Sequence, residues 1–205
     1  SFNTGAMAHA GKLSFARYAP DADLTIITPN DPGAMMNYVR ECKAIGLPYI
    51  YDPSQQTARI SGADMREGID GCYLLSSNEY EFQLIQEKTG LSEAQILDRV
   101  GGLVMTMGAA GSRLLIDGYE EFVPVAPTRW VAEPTGAGDA YRAGLMRGMQ
   151  LGLPWGVAGR MGALAAAYVL EQYGPQNHYF TRAEFVARYR ESFDDEGALD
   201  VLLQE

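Results

Sequence analysis

Short, uninterrupted apolar runs separated by stretches of helical spacing constrain this chain more than any other feature of its sequence. Leu24-Thr25-Ile26-Ile27-Thr28 is a β-branched run of the kind that makes a strand buried on both faces. Pro29-Asn30-Asp31-Pro32 follows, with Asp31 placed to cap a helix and Pro32 to open it. Met35, Met36, Val39, Cys42 and Lys43 recur at helical spacing, and Gly46 supplies a stop. Pro48-Tyr49-Ile50-Tyr51 then reads as a second strand. Strand, helix and strand in so short a span make a βαβ unit, whose strands run parallel.

The pattern continues along the chain. Cys72-Tyr73-Leu74-Leu75-Ser76 predicts a strand, and the helix from Asn78 places Tyr80, Leu84, Ile85 and Lys88 on one face. Residues 91–100 predict a short helix opened by Ser92, with Glu93 and Gln95 in its first turn. Leu103-Val104-Met105-Thr106-Met107 predicts a further buried strand. Leu114-Leu115-Ile116 and Glu121-Phe122-Val123-Pro124-Val125 pair across Asp117-Gly118, a strong hairpin signal. Helices are expected over about 137–152, 155–173, 181–193 and 196–203. The sum is an α/β fold: an open, mainly parallel sheet with helices on both faces, forming one domain over 1–205. Residues 1–20 carry no strand pattern, so the sheet begins as though other strands preceded it.

Composition narrows the functional classes. With 47% hydrophobic and 20% charged residues the chain is an ordinary globular one. Sixteen basic against twenty-six acidic residues give a net charge of -10, which disfavours nucleic acid and anionic membrane surfaces as partners. The longest stretch without charge, residues 100–112, is shorter than the roughly 20 apolar residues of a bilayer span. Ser1 to Gly5 shows neither the basic region nor the apolar core of a secretory signal. Cys42 and Cys72 have no metal-ligand spacing and read as reduced, buried thiols of a cytoplasmic protein. His9 and His178 lack carboxylate or thiol partners at ligand spacing and read as structural or surface residues.

Chemistry concentrates in Glu133-Pro134-Thr135-Gly136-Ala137-Gly138-Asp139-Ala140-Tyr141-Arg142-Ala143-Gly144. This is a bend of small residues feeding a long helix. The first N–H groups of such a helix are unpaired and sit at the positive end of its dipole, a ready anion site. Asp139 adds a carboxylate in the same turn. It would repel a bound phosphate, but it suits a base that takes a proton from a hydroxyl attacking phosphorus. The other reading, a first-turn acid complementing the helix dipole, fits the spacing equally well.

The stretch Thr135-Gly136-Ala137-Gly138-Asp139-Ala140-Tyr141-Arg142-Ala143-Gly144 resembles the C-terminal signature of the ribokinase-like (PfkB) family of sugar and nucleoside kinases. Three more segments match in order. Asn78-Glu79-Tyr80-Glu81 is similar to the family's N-x-x-E motif, and Thr106-Met107-Gly108-Ala109-Ala110-Gly111 to its T-x-G-x-x-G loop. Gly162 to Gly174 resembles the alanine-rich helix beside the adenine pocket. The resemblance implies an ATP-dependent kinase in which Asp139 is the catalytic base and the N–H groups of Gly136, Ala137 and Gly138 stabilise the transferring phosphoryl group. It implies that Thr106, Gly108 and Gly111 line the ATP site, that Asn78 acts near the phosphates, and that Glu81 organises Mg²⁺ through water. Glu81 otherwise reads as a solvated acid, and the loop as an ordinary glycine turn. No Gly-Lys-Ser/Thr follows Gly108, so the chain is not a P-loop kinase. Glu133 stands where the family usually has Asp, often tied to a bound monovalent cation; its longer side chain leaves potassium dependence open.

Within the family, four stretches look most like bacterial adenosine kinases: residues 27–32, 51–56, 75–81 and 170–176. By that resemblance Gln55 and Gln56 hydrogen-bond the nucleoside, paired amides matching the mixed donor and acceptor edge of adenine or ribose; a polar surface loop is the alternative. Phe2 could stack on a base or simply pack. Family members run to roughly 300 residues, and counterparts of their substrate-binding N-terminal strands and lid are missing here. The resemblance therefore implies the C-terminal two-thirds of a kinase, with sheet edge and apolar face left to pair with another chain, a homodimer included. Three readings stay open: an adenosine kinase, a kinase of ribose, fructose or another nucleoside, and a nucleotide-binding module without turnover.

Overall fold

A computed structural model of the protein describes residues 4–204, so Phe2 lies outside the described residues. Six strands form one sheet in chain order: β1 (Thr25–Ile27), β2 (Tyr49–Tyr51), β3 (Leu74–Asn78), β4 (Gly102–Thr106), β5 (Ser112–Ile116) and β6 (Tyr119–Val123). β1 pairs with β2 and β2 with β3 in parallel, Ile26 opposite Ile50 and Tyr51 opposite Leu75. The helices are α1 (Pro32–Ile45), α2 (Gly62–Ile69), α3 (Glu79–Thr89), α4 (Glu93–Leu97), α5 (Ala137–Gln150), α6 (Trp155–Leu170), α7 (Arg182–Ser192) and α8 (Asp200–Gln204). The expected mainly parallel α/β architecture is the observed one. Residues 5–21 hold only 3₁₀ turns, in line with the absence of a strand pattern there. Two compact units divide the chain: one runs to Met105 and includes Leu115–Tyr119, the other comprises Thr106–Leu114 and the chain from Glu120 onward.

In the first unit, α1 begins as its sequence requires. The Asp31 side chain accepts the Ala34 N–H at 3.0 Å, Pro32 occupies the first turn, and Gly46 ends the helix at φ 71°. Met35, Val39 and Cys42 on its inner face are fully buried, each side chain of that size contributing roughly 1.5–3 kcal/mol by leaving water. The β2 run is buried throughout, as expected of a strand covered on both sides. Burial pushes the Cys42 thiol up to about 11 and the Cys72 thiol up to about 12, so both are protonated and free.

Two details correct the sequence reading of this unit. Residues 62–69 form a helix that apolar spacing did not suggest; its signal is Ser61, whose hydroxyl accepts the Asp64 N–H at 3.1 Å. In α3 the inward face is Phe82, Ile85 and Thr89, whereas Tyr80 is 74% exposed. Tyr80 lies in the first turn, where its side chain has no preceding turn to cover.

β5 and β6 are joined by Asp117 at φ 53° and Gly118 at φ 78°, the two left-handed residues of a tight hairpin turn. α5 and α6 pack backbone to backbone. A Cβ at Gly144 would lie 2.6 Å from the Met161 carbonyl oxygen, and one at Gly162 would lie 2.6 Å from the Tyr141 carbonyl oxygen. α8 is shorter than the expected 196–203 because Gly197, at φ 81°, makes a turn before it. Among the described residues no helix is long and apolar enough to cross a membrane.

Candidate functional site

The loop between β4 and β5 is closed by the Met107 N–H donating to the Gly111 carbonyl at 2.8 Å, around a 3₁₀ turn at Gly108–Ala110. Gly111 sits at φ 97°, and a Cβ there would lie 2.2 Å from the Val123 carbonyl oxygen. Only glycine fits, so this residue holds the loop against the end of β6.

The bend before α5 shows a different division of labour. Gly136 adopts φ 90° as the N-cap, and a Cβ on it would meet the Pro175 Cβ at 2.6 Å. The fold itself demands that glycine. Gly138 is helical, and a Cβ on it would meet only the Arg142 Nη1, at 3.7 Å. Nothing among the described residues requires a bare backbone at 138.

These two segments line one cleft of about 420 Å³ within the second unit, the size of a small-molecule site. Thr106, Gly108, Gly111, Ala137 and Gly138 all contribute to its wall, with Tyr141 and Ser112 beside them. Ala163, Ala166, Ala167 and Leu170 of α6 supply an aliphatic flank, where the sequence places an alanine-rich helix. The wall is apolar save for a few hydroxyls and the tip of α5.

No side chain caps α5. One expected donor is lost: the Ala137 N–H is taken by the Pro134 carbonyl at 3.2 Å, because the bend closes on itself. Among the described residues, Gly138 and Asp139 have no protein acceptor for their N–H groups, so the helix-tip donors are these two. Gly136 positions the tip but does not line the cleft.

Asp139 follows Gly138 directly. Its carboxylate is 74% exposed and ion-paired with Arg142, one turn along α5. That geometry serves the helix, through the dipole and an i,i+3 pair, and also leaves a charged carboxylate open to an incoming group. Glu133 is committed elsewhere. Its carboxylate accepts the Gly174 N–H at 2.9 Å, and that bond with one from Thr135 holds it below the usual carboxylate range. The Ala132 N–H to Leu170 carbonyl bond, 2.7 Å, fixes the same segment against the end of α6.

In the first unit, Asn78 and Glu81 form a reciprocal cap on α3. The Asn78 Oδ1 accepts the Glu81 N–H at 2.8 Å, and the Glu81 Oε2 accepts the Asn78 N–H at 3.0 Å. The Ser54 hydroxyl donates to the other Glu81 oxygen at 3.3 Å from a backbone at φ 40°, a conformation uncommon outside glycine. Ser54 is a member of this cluster to which the sequence assigns no role. Among the described residues no group of three or more His, Cys, Asp or Glu side chains is arranged to hold a metal ion. A magnesium ion meets proteins through one or two carboxylates, its own waters and substrate phosphates, so Glu81 fits a water-mediated contact and not an enclosing cage. Gln55 and Gln56 differ in setting: Gln55 is exposed, while Gln56 is buried and accepts from Arg59 Nη1 at 3.4 Å. Successive residues of a 3₁₀ turn point in different directions.

The nucleoside kinase of Burkholderia thailandensis, in a structure described as a complex with ADP-inosine, is 35% identical and superposes with a TM-score of 0.90. That match covers 94% of this chain and 60% of the other. The nucleoside kinase of Methanocaldococcus jannaschii is 28% identical over 188 residues, covering 91% of this chain and 61% of the relative. The cytidine kinase of Thermococcus kodakarensis is 26% identical over 170 residues, covering 80% and 61%. The chain thus spans about 60% of the length of the relatives it matches. The pattern of the pfkB family carbohydrate kinases matches residues 11–182, which takes in the glycine loop, the bend before α5 and both helices of the cleft wall: the chain belongs to that family.

Proposed function

We propose that the protein is an ATP-dependent nucleoside kinase that phosphorylates the 5′-hydroxyl of a purine nucleoside. The observation that carries this reading is the cleft whose wall ends in the uncapped tip of α5, with Gly138 left bare by no demand of the fold. A nucleotide whose base lies against the alanines of α6 would bring its phosphates to the Gly138 and Asp139 N–H groups.

In the reaction the acceptor oxygen attacks the γ-phosphorus, the bond to the bridging oxygen breaks, and ADP leaves with that oxygen. The acceptor's proton passes to the Asp139 carboxylate, whose exposure suits an alcohol arriving from outside the nucleotide cleft. Arg142 holds that carboxylate in place. By the family resemblance Glu81, fixed by Asn78 and Ser54, is the residue that would hold magnesium through water, and the ion would supply charge neutralisation. Most of the catalytic work is positioning and charge stabilisation at residues 136–139.

Adenosine is our acceptor by the resemblance of residues 27–32, 51–56, 75–81 and 170–176. Inosine is the second reading, favoured by the inosine-containing complex of the Burkholderia relative. A panel of adenosine, inosine, cytidine and ribose, scored by ADP release, tests both. The expected result is turnover with a purine nucleoside at least tenfold above ribose. Preference for free ribose refutes a nucleoside acceptor, and ATP binding without ADP release for any member of the panel refutes catalysis.

A further inference from the structure

We propose that Tyr141 is a positioning residue whose hydroxyl, bonded to Ser112, ties the glycine loop to the helix that carries Asp139. This rests on the kinase reading above and extends it to a residue for which only an aromatic ring needs to be packed.

The two oxygens are 2.5 Å apart and both residues are buried, Ser112 at 1% and Tyr141 at 5% exposure. Both belong to the wall of the 420 Å³ cleft. Ser112 is the first residue of β5 and follows Gly111, whose carbonyl closes the glycine loop through Met107. Tyr141 lies two residues beyond Asp139, on the inward side of the same helix. Burial pushes the phenol up to about 12, so it is protonated across the physiological range and can donate or accept within the pair.

The ring and the hydroxyl have separable duties. The ring packs against α6 where Gly162 has no side chain; a Cβ there would approach ring atoms to 3.1 and 3.2 Å. That contact survives in phenylalanine. The hydroxyl instead spans 29 positions of chain, to the strand leaving the loop. A single bond of this kind adds too little to decide whether the unit folds. It is enough to decide how often the loop and the helix tip hold the spacing that a phosphate chain needs, because both segments must contact one ligand at once.

The test is Tyr141→Phe in the intact protein, with Ser112→Ala removing the same bond from the other side and the double variant closing the cycle. Binding is read by calorimetry with AMP-PNP and magnesium, and turnover by ADP release. Each single variant is expected to weaken AMP-PNP binding and raise KM for ATP by about three- to tenfold, with kcat within twofold of wild type. The double variant is expected to bind no worse than the weaker single one, since all three lack one and the same bond. A Tyr141→Phe protein that binds AMP-PNP as wild type does overturns the tether, as do additive losses in the double variant. Should Tyr141→Phe fold poorly, Ser112→Ala alone decides, because it leaves the ring in place. A wild-type protein that binds no AMP-PNP overturns the kinase reading itself, an outcome distinct from both.

Discussion

Replacing each of two glycines in the bend before α5 by alanine separates what the fold needs from what a ligand needs. At Gly136 the new Cβ meets φ 90° and the Pro175 side chain at 2.6 Å. The left-handed conformation costs an L-residue about 1–2 kcal/mol, and displacing the proline adds about 1–3 kcal/mol of overpacking. Gly136→Ala should therefore lose about 2–5 kcal/mol of folding stability. At Gly138 the backbone is helical and the Cβ has only a guanidinium nitrogen at 3.7 Å. There alanine should leave stability unchanged or raise it by roughly 0.5–1 kcal/mol, the gain of alanine over glycine in a helix. The same methyl tilts toward the N-terminal end of the helix at a position that lines the cleft, where it would crowd an anion on the Gly138 and Asp139 N–H groups. Loss of one charge-assisted bond, about 1.5–3 kcal/mol, should weaken ATP binding roughly ten- to hundredfold. Urea denaturation and calorimetry on the two intact variants provide the assay. Gly138→Ala binding ATP with wild-type affinity would refute the assignment of the helix tip as the phosphate site.

Two other expectations follow from individual contacts. Glu81→Gln should keep α3 intact, because glutamine makes the same reciprocal cap with Asn78, yet should raise the magnesium concentration needed for half-maximal ADP release several-fold; an unchanged magnesium requirement would leave Glu81 a cap alone. Asp195, bonded to Arg190 at 2.9 Å and held there at about 2, contributes stability above the ordinary aspartate value near 4 and loses it as pH falls from about 4 towards 2. Its asparagine variant should show a shallower acid-induced loss of stability across that window, measured by urea titration at each pH, and an identical slope in both proteins would contradict the pairing.

Much of this was legible in the sequence, and the failures have physical causes. Strands such as 49–51 declare themselves because burial on both faces removes polar residues from the run. The tip of α5 declares itself because Gly136 has no substitute at φ 90°. α2 escaped because eight residues opened by Gly62 and interrupted by Gly68 carry little helix propensity, leaving the Ser61–Asp64 cap as the one local mark. The spacing of Asn78 and Glu81 is ambiguous in principle. Three residues is both the reach of a capping box and the interval that puts two side chains on one side of a helix, and the structure shows the cap in place. The Ser112–Tyr141 bond was out of reach, since nothing in either residue's neighbourhood announces a partner 29 positions away. The expected donor at Ala137 failed for a local reason: the bend that exposes the helix tip spends one of its own N–H groups on Pro134.

The measurement that bears most directly on the central claim is single-turnover phosphoryl transfer by Asp139→Asn in the intact protein, beside ATP affinity measured by calorimetry. Asparagine keeps the size and the N-terminal position of the side chain but cannot accept the alcohol's proton, so transfer should slow by about 10²–10⁴-fold while ATP affinity stays within a few-fold of wild type. Transfer at near wild-type rate would show that Asp139 serves only the dipole of α5 and its pair with Arg142.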